Sequence, residues 1–349
     1  SKDREFTVLL GARTKEELLY RNELEKIRDV NLKIATDDGS EGHRGFITDL
    51  IPKLLKQERF DQVVTCGPEV MMKKVCEFTA KHKIPTQVSV ERIVKCASGF
   101  CGSCTVGSYR VCKEGPVFDA SEIYGKTEFT EWARDKAGIR VRIKGTVTSD
   151  FKSPSLVQFT PQYDPYLETE ICGVKLPNPS MNVSGMGVSG QYLYRIVVEG
   201  GAGAIVTKSI GLHLREGYDG PNFIDDSINA MGLPNPGIEN YGVEIEDMKF
   251  AGIPIFLSIF GETPEECKAV ATRAVEYGIN GIELNVSCPH TSIGLVEQNP
   301  ELVKEITKEV VSVAHAKNIP VSVKISANVD YVEVAKAAVE GGADMITAI

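Results

Sequence analysis

Short, nearly unbroken apolar runs recur along the second half of the chain: Met181 to Ser184, Ala204 to Lys208, Ile253 to Phe260, Gly281 to Val286, Val321 to Ile325 and Met345 to Ile349. Runs of that length without polar alternation predict strands buried on both faces, as in a parallel sheet covered by helices. The helical stretches between them carry start signals. Thr263-Pro264-Glu265-Glu266 offers an N-cap, a proline in the first turn and a capping-box glutamate, and Asn299-Pro300 repeats the cap and the proline. Gly278 stops the first of these helices, while Leu302, Val303, Ile306, Val310 and Val313 line one face of the second as a core stripe. Six strands with about five crossover helices predict an incomplete (β/α)8 barrel, with a doubly wound sheet as the alternative.

The start of the chain alternates in a similar way. Phe6 to Leu10 reads as a buried strand running into Gly11-Ala12-Arg13. A charged helical stretch follows to about Asp29, and the next strand ends in Thr36-Asp37-Asp38-Gly39-Ser40. Gly42 and Gly45 mark turns, and a helix is expected near Ile47 to Gln57. Asp61 to Thr65 is a strand that empties into Cys66-Gly67-Pro68 and a helix from Glu69. This alternation predicts a parallel sheet whose ligand loops follow its strands. From Gly145 to Tyr166 the periodicity fades into Thr, Ser, Pro and Gln, as in a linker. The expected plan is a partial nucleotide-binding domain over 1–90, a cysteine-rich module over 91–144, a linker over 145–166 and the barrel over 167–349.

Composition narrows the setting. A chain of 349 residues, 42% hydrophobic, has core enough for two or three domains. Its formal charge of −9, without a basic patch, argues against nucleic acid or an anionic membrane as partner. No basic segment leads into an apolar run at the N-terminus and no apolar stretch is long enough to span a bilayer, so a cytoplasmic location is expected.

Four of the nine cysteines sharpen this further. Cys96, Cys101, Cys104 and Cys112 read C-x4-C-x2-C-x7-C, and the first three have the plant-type spacing of a [2Fe-2S] cluster. Ser98, Gly99, Gly102 and Ser103 between them let the backbone wrap closely and aim N–H groups at sulfur. A structural zinc site is the alternative, although Cys112 stands alone after a gap; a disulfide framework fits less well.

Chemistry in a barrel sits at the C-terminal ends of its strands. Lys208-Ser209 follows the second apolar run, Asn285-Val286-Ser287-Cys288-Pro289-His290 the fourth, and Lys324 ends the fifth. A lysine in an apolar strand calls for an anionic partner such as a flavin, unless the strand ends there and the lysine reaches solvent. Cys288 reads either as a small buried hydrophobe or as a catalytic thiol, and Cys66 either as a buried thiol in a tight turn or as a ligand-loop residue.

Two resemblances join these features. Gly11-Ala12-Arg13, Asp38-Gly39-Ser40, Cys66-Gly67-Pro68, the four cysteines and Gly115-Pro116-Val117-Phe118 resemble the electron-transfer subunit of class 1B dihydroorotate dehydrogenase, a member of the ferredoxin reductase-like superfamily, as far as about Ile143. That likeness implies NAD and FAD as cofactors of the whole, Cys66 near the nicotinamide and Arg13 near the nucleotide, with the FAD barrel and the first strand of the NAD domain expected upstream. Asn178 to Gly185, Thr207-Lys208-Ser209, Asn229 to Asn235, Asn285 to Pro289 and Val323-Lys324 resemble the catalytic subunit of the same enzyme.

The second likeness implies that Ser184, Gly185, Lys208, Ser209 and Lys324 hold FMN. It implies that Asn229, the Met231-Gly232-Leu233 backbone, Asn285 and His290 face the substrate, and that Cys288 is the base. His290 stands where the family usually has Asn, and Ser-Cys-Pro-His is similar to dihydropyrimidine dehydrogenase, a relative acting on uracil and thymine. The expected function is oxidation of dihydroorotate to orotate in pyrimidine biosynthesis. The alternatives are dihydropyrimidine dehydrogenase-like chemistry and a non-catalytic electron-transfer fragment that needs a partner chain for the FAD domain and the later barrel strands.

Overall fold

The computed structural model describes residues 5–143, 156–220, 222–224, 228–287 and 295–349. It divides into two compact units, one of residues up to 89 together with 118–124, the other of 90–117 with 125–349.

In the first unit, strands Phe6–Ala12 and Val30–Thr36 run parallel in register from Phe6 opposite Val30 to Ala12 opposite Thr36, and His43–Arg44 extends the sheet. Val63–Cys66 and Thr86–Ser89 pair in parallel within a second three-stranded sheet. The helix Glu69–Lys81 turns Met72, Val75 and Cys76 inward. The charged stretch before Asp29 forms only a single 3-10 turn, Lys15–Glu17, and the short helix Arg21–Glu25, neither with a buried residue. A short segment without an apolar stripe cannot offset the cost of helix nucleation by packing, so the longer helix expected there does not form.

In the second unit, five parallel strands lie side by side in chain order: Ile205–Val206, Ile255–Ile259, Gly281–Asn285, Val321–Ile325 and Met345–Ala348. Helices Ile238–Lys249, Pro264–Glu276, Pro300–Ala314 and Tyr331–Glu340 make the crossovers. The order never reverses, which is the arrangement of a barrel sector; a doubly wound sheet would switch direction at its centre. The central three strands are buried throughout, as their unbroken apolar runs require. Thr263 and Asn299 cap their helices, accepting from the Glu266 and Leu302 N–H groups at 3.1 and 3.2 Å.

The strand expected at Met181 to Ser184 is reduced to one parallel bridge between Met181 and Ala204. The Asn182 side chain takes over the ladder: its Nδ2 donates to Val206 O at 2.6 Å and its Oδ1 accepts from Val206 N at 3.0 Å. Below the strands, the hairpin Thr169–Ile171 with Val174–Leu176 turns at Cys172-Gly173, both in the left-handed region as a two-residue hairpin loop requires. Its Leu176 packs with Ala204, Val206 and Phe256 in a small separate core. Of the expected linker, 145–155 lies outside the described residues. Residues 156–163 carry no regular secondary structure and are tied to the barrel by Phe159 N to Phe250 O (2.7 Å) and Tyr194 OH to Val157 O (2.7 Å). No helix of the described residues is long and apolar enough to cross a membrane.

Candidate functional site

Cys96, Cys101 and Cys104 are buried and Cys112 half-buried. Ala97, Gly99 and Gly102 all take left-handed conformations, so the chain coils tightly round the thiols. The thiols associate two by two, Cys96 with Cys101 and Cys104 with Cys112. The Cys101 N–H also points at Cys96 Sγ, 3.5 Å away, and the Cys101 thiol donates to Ser103 Oγ at 3.4 Å. The hydrogen bond from Cys101 holds the Cys96 thiol down to about 4 and pushes Cys101 up; burial pushes Cys112 up to about 12. All eight described cysteines are free. Among the described residues no three metal-binding side chains converge as for a single ion. Four thiols on one tightly coiled loop, with an amide aimed at sulfur, suit the cluster ligands that the C-x4-C-x2-C spacing predicts.

This loop sits against the barrel portion of its own unit through main-chain carbonyls. Gly99 O accepts from Tyr192 OH (3.1 Å), Phe100 O from Gly187 N (3.0 Å) and Cys101 O from Val188 N (3.1 Å). Arg110 donates to Gly99 O and to Tyr192 OH and lies over the Tyr192 ring. Nearby, Lys95 next to the first cysteine donates to Glu216 O.

A second contact is ionic. Arg134, from the strand Trp132–Arg134, places both terminal nitrogens on the Glu244 carboxylate at 2.8 and 3.0 Å; both side chains are buried. Arg140 reaches Glu244 at 2.9 Å and also Asp247. Glu244 Oε2 further accepts from Gly190 N at 2.7 Å, at the start of the helix Gly190–Gly200 that Ser189 caps. Burial raises the Glu244 pKa, but the Arg134 and Arg140 guanidinium groups outweigh it and hold the carboxyl down to about 2.

A carboxylate depressed in the folded state stabilises fully above its unfolded pKa and loses that contribution as pH falls through its folded pKa. The net depression of the Glu244 carboxyl should thus contribute about 3 kcal/mol above pH 4.5, lost as pH falls to about 2. Urea unfolding across that window tests this. Glu244→Gln should flatten the acid limb of the stability curve; an unchanged limb would remove Glu244 from the account.

Inside the barrel sector the strand ends carry a connected polar set. Neither Lys208 nor Lys324 reaches solvent, at 7% and 8% exposure. Lys324 Nζ donates to Ser184 Oγ at 2.6 Å and stands 3.8 Å from the buried Glu283 carboxylate. Glu283 Oε1 accepts from Ser258 Oγ (3.1 Å), the Ser258 and Ser209 hydroxyls are 2.9 Å apart, and Asn285 Nδ2 donates to Ser209 Oγ (3.0 Å). Register explains the assembly, because Ser258 pairs with Glu283 and Asn285 with Lys324 across adjacent strands. A buried cation beside hydroxyls at the strand ends suits an anionic, hydrogen-bonding group such as a flavin.

Asn285 Oδ1 accepts from both the N–H and the hydroxyl of Ser287, the last described residue before Cys288 and His290 in sequence. Those two residues lie outside the described residues. Gly185 lies next to Ser184, with nothing within 4 Å of a Cβ built on it. Asn229 ends the short strand Ile228–Asn229 and is exposed. Met231 O accepts from Tyr218 N at 3.2 Å, and Gly232 and Leu233 are both left-handed. Asn235 pins this loop by donating to Leu233 O and accepting from Gly211 N and Gly237 N. In the other unit, Arg13 and Cys66 follow the strands Phe6–Ala12 and Val63–Cys66 and both are exposed, so Cys66 is not a buried thiol. Arg13 forms an ion pair with Glu17 at 2.6 Å.

Sequence reasoning passed over Ser258 and Glu283, whose only signal was a polar residue at an inward position of an otherwise apolar strand. It also passed over Glu244, Arg134, Arg140 and Tyr192, for which nothing in a local pattern speaks.

A barrel sector with a buried polar interior, joined within one unit to a four-cysteine loop, is the arrangement of a barrel-class protein with an attached cysteine module. Residues 166–349 match the family model for dihydroorotate dehydrogenase, more than half of the chain, and the chain belongs to that family. Residues 91–124 match the iron-sulfur cluster binding domain of dihydroorotate dehydrogenase B, and residues 1–77 an oxidoreductase NAD-binding domain.

Over 139 residues the chain is 48% identical to the probable dihydroorotate dehydrogenase B (NAD(+)), electron transfer subunit, of Methanocaldococcus jannaschii, covering 39% of this chain and 53% of that one. Over 178 residues it is 44% identical to the catalytic subunit of the same enzyme from Thermoplasma volcanium, covering 49% and 58%. A crystal structure of DHODH from Eimeria tenella in complex with ferulenol aligns with a TM-score of 0.47 at 17% identity, over 52% of this chain and 59% of that one. The chain thus spans about half the length of the curated relatives it matches and joins segments similar to two separate subunits. These matches do not favour the dihydropyrimidine dehydrogenase-like alternative.

Proposed function

We propose that this protein takes part in oxidising dihydroorotate to orotate in pyrimidine biosynthesis, with electrons passing from FMN through a [2Fe-2S] cluster to FAD and NAD. The observation that carries the reading is the junction of a four-cysteine loop, held by three consecutive carbonyls, with the segment leading into the barrel's polar interior. In this reading the enzyme is cytoplasmic and works with a chain supplying the FAD domain and further barrel strands.

Bound FMN supplies the acceptor for the hydride leaving C6 of dihydroorotate. The protein's own residues do the rest. Cys288 takes the proton from C5. Asn229, the Met231-Gly232-Leu233 backbone, Asn285 and His290 orient the ring. Ser184, Gly185, Lys208, Ser209 and Lys324 hold the flavin, and Glu283, 3.8 Å from Lys324 Nζ, helps to position that side chain. Cys96, Cys101, Cys104 and Cys112 ligate the cluster, while Arg13 and Cys66 serve the nucleotide side.

Lys324→Met tests the flavin assignment. A charge-assisted hydrogen bond of this kind contributes about 1.5–3 kcal/mol, so FMN affinity read by fluorescence quenching should fall about ten- to a hundredfold. Unchanged affinity would mean that Lys324 serves only Glu283 and Ser184, and that the flavin lies elsewhere.

A further inference from the structure

We infer that the Gly187-Val188 backbone is the electron bridge between the flavin side of the barrel and the cluster, and that Gly102 sets how closely the two approach. The inference rests on the flavin and cluster sites proposed above. Val188 N–H donates to the carbonyl of Cys101, itself a cluster ligand in that reading, and Gly187 N–H donates to Phe100 O. Ser184, which accepts from Lys324, stands three positions before Gly187 in the same segment. One bonded route between the two proposed sites therefore runs along the main chain and crosses the hydrogen bond from Val188 N to Cys101 O.

Nothing intervenes where the loops meet. A Cβ on Gly102, which has φ +69°, would lie 3.0 Å from Gly187 Cα and 3.1 Å from Val188 N. Main chain packs on main chain, and only glycine allows it. The seat is held from behind: Glu244 accepts from Gly190 N, and Tyr192 OH bonds to Gly99 O. These two bonds hold the segment 187–192 in place and the cysteine loop against it.

With both groups bound, each passage would take one electron from reduced flavin and turn one ferric ion of the cluster ferrous. Two passages carry away the pair taken from dihydroorotate, with the FAD and NAD side re-oxidising the cluster between them.

The test is a single-turnover measurement on the protein and on Gly102→Ala. FMN content and the electron paramagnetic resonance signal of the dithionite-reduced cluster establish that both centres are present. The bound flavin is then photoreduced and bleaching of the cluster is followed. The added methyl should slow cluster reduction measurably, because at 3.0 Å from Gly187 Cα it forces the two main chains apart. Gly187→Ala leaves the cluster loop's own sequence untouched, but its methyl would press on Tyr192 and Leu193, 2.9 and 3.0 Å away, and so shift the Gly187-Val188 segment from behind; it should slow transfer likewise. Wild-type transfer rates in either variant with both centres intact would overturn the bridge. So would loss of the cluster signal in Gly187→Ala, which would make the contact a device of assembly. A wild-type protein lacking flavin or cluster would instead overturn the proposed function, and the bridge with it.

Discussion

Cys288→Ala is expected to abolish reduction of bound FMN by dihydroorotate, slowing it about 10²- to 10⁴-fold, the range that a positioned general base contributes. The flavin and cluster spectra should be unaltered, because in this reading Cys288 holds neither the flavin nor the cluster. A thiol is a base only as thiolate, and with a free pKa of about 8.5 it is mostly protonated near neutrality. The rate in the unaltered protein should therefore climb with pH through the thiol pKa and then level off. Stopped-flow absorbance across pH 6 to about 10 reads both effects. If Cys288→Ala reduced its flavin normally at the alkaline end, the base would have to be another group.

The second large effect separates the two halves of the reaction. Cys104→Ser breaks one thiol pair of the buried loop and should prevent assembly of the cluster. Reduction of FMN by dihydroorotate should survive at close to its original rate, since the polar set from Asn285 to Lys324 includes none of the four cysteines. Transfer to NAD should vanish. Parallel assays of flavin bleaching and NADH formation distinguish this from general misfolding, which would lower both. Loss of flavin reduction along with the cluster would mean that the loop shapes the barrel site as well as serving it.

How much could be read beforehand followed from how local each signal is. The barrel strands were legible because burial on both faces leaves an unbroken apolar run, and Ile255–Ile259, Gly281–Asn285 and Val321–Ile325 stand where those runs lie. The run at Met181 failed as a strand because Asn182 supplies with its side chain the bonds that a ladder would make, which composition cannot reveal. The lysines announced themselves by their cost in an apolar strand, whereas Glu283 and Ser258 acquire meaning only once register sets them beside Lys324 and Ser209.

The junction of loop and barrel was invisible for a different reason. Arg134 and Glu244 stand 110 residues apart in sequence, and the donors to Phe100 and Cys101 are main-chain N–H groups that any residue but proline could provide. Spacing could identify the four cysteines as a cluster loop but not what it leans on.

The central claim is that dihydroorotate is the electron donor, and anaerobic reduction tests it most directly. Oxidised protein carrying FMN and the cluster is mixed with dihydroorotate, and the flavin spectrum, the cluster resonance signal and orotate are followed together. The account predicts that the flavin bleaches first, that the cluster signal grows afterwards, that orotate forms in proportion, and that uracil fails to re-oxidise the reduced protein. Flavin that stays oxidised with dihydroorotate, yet once reduced is re-oxidised by uracil, would contradict it.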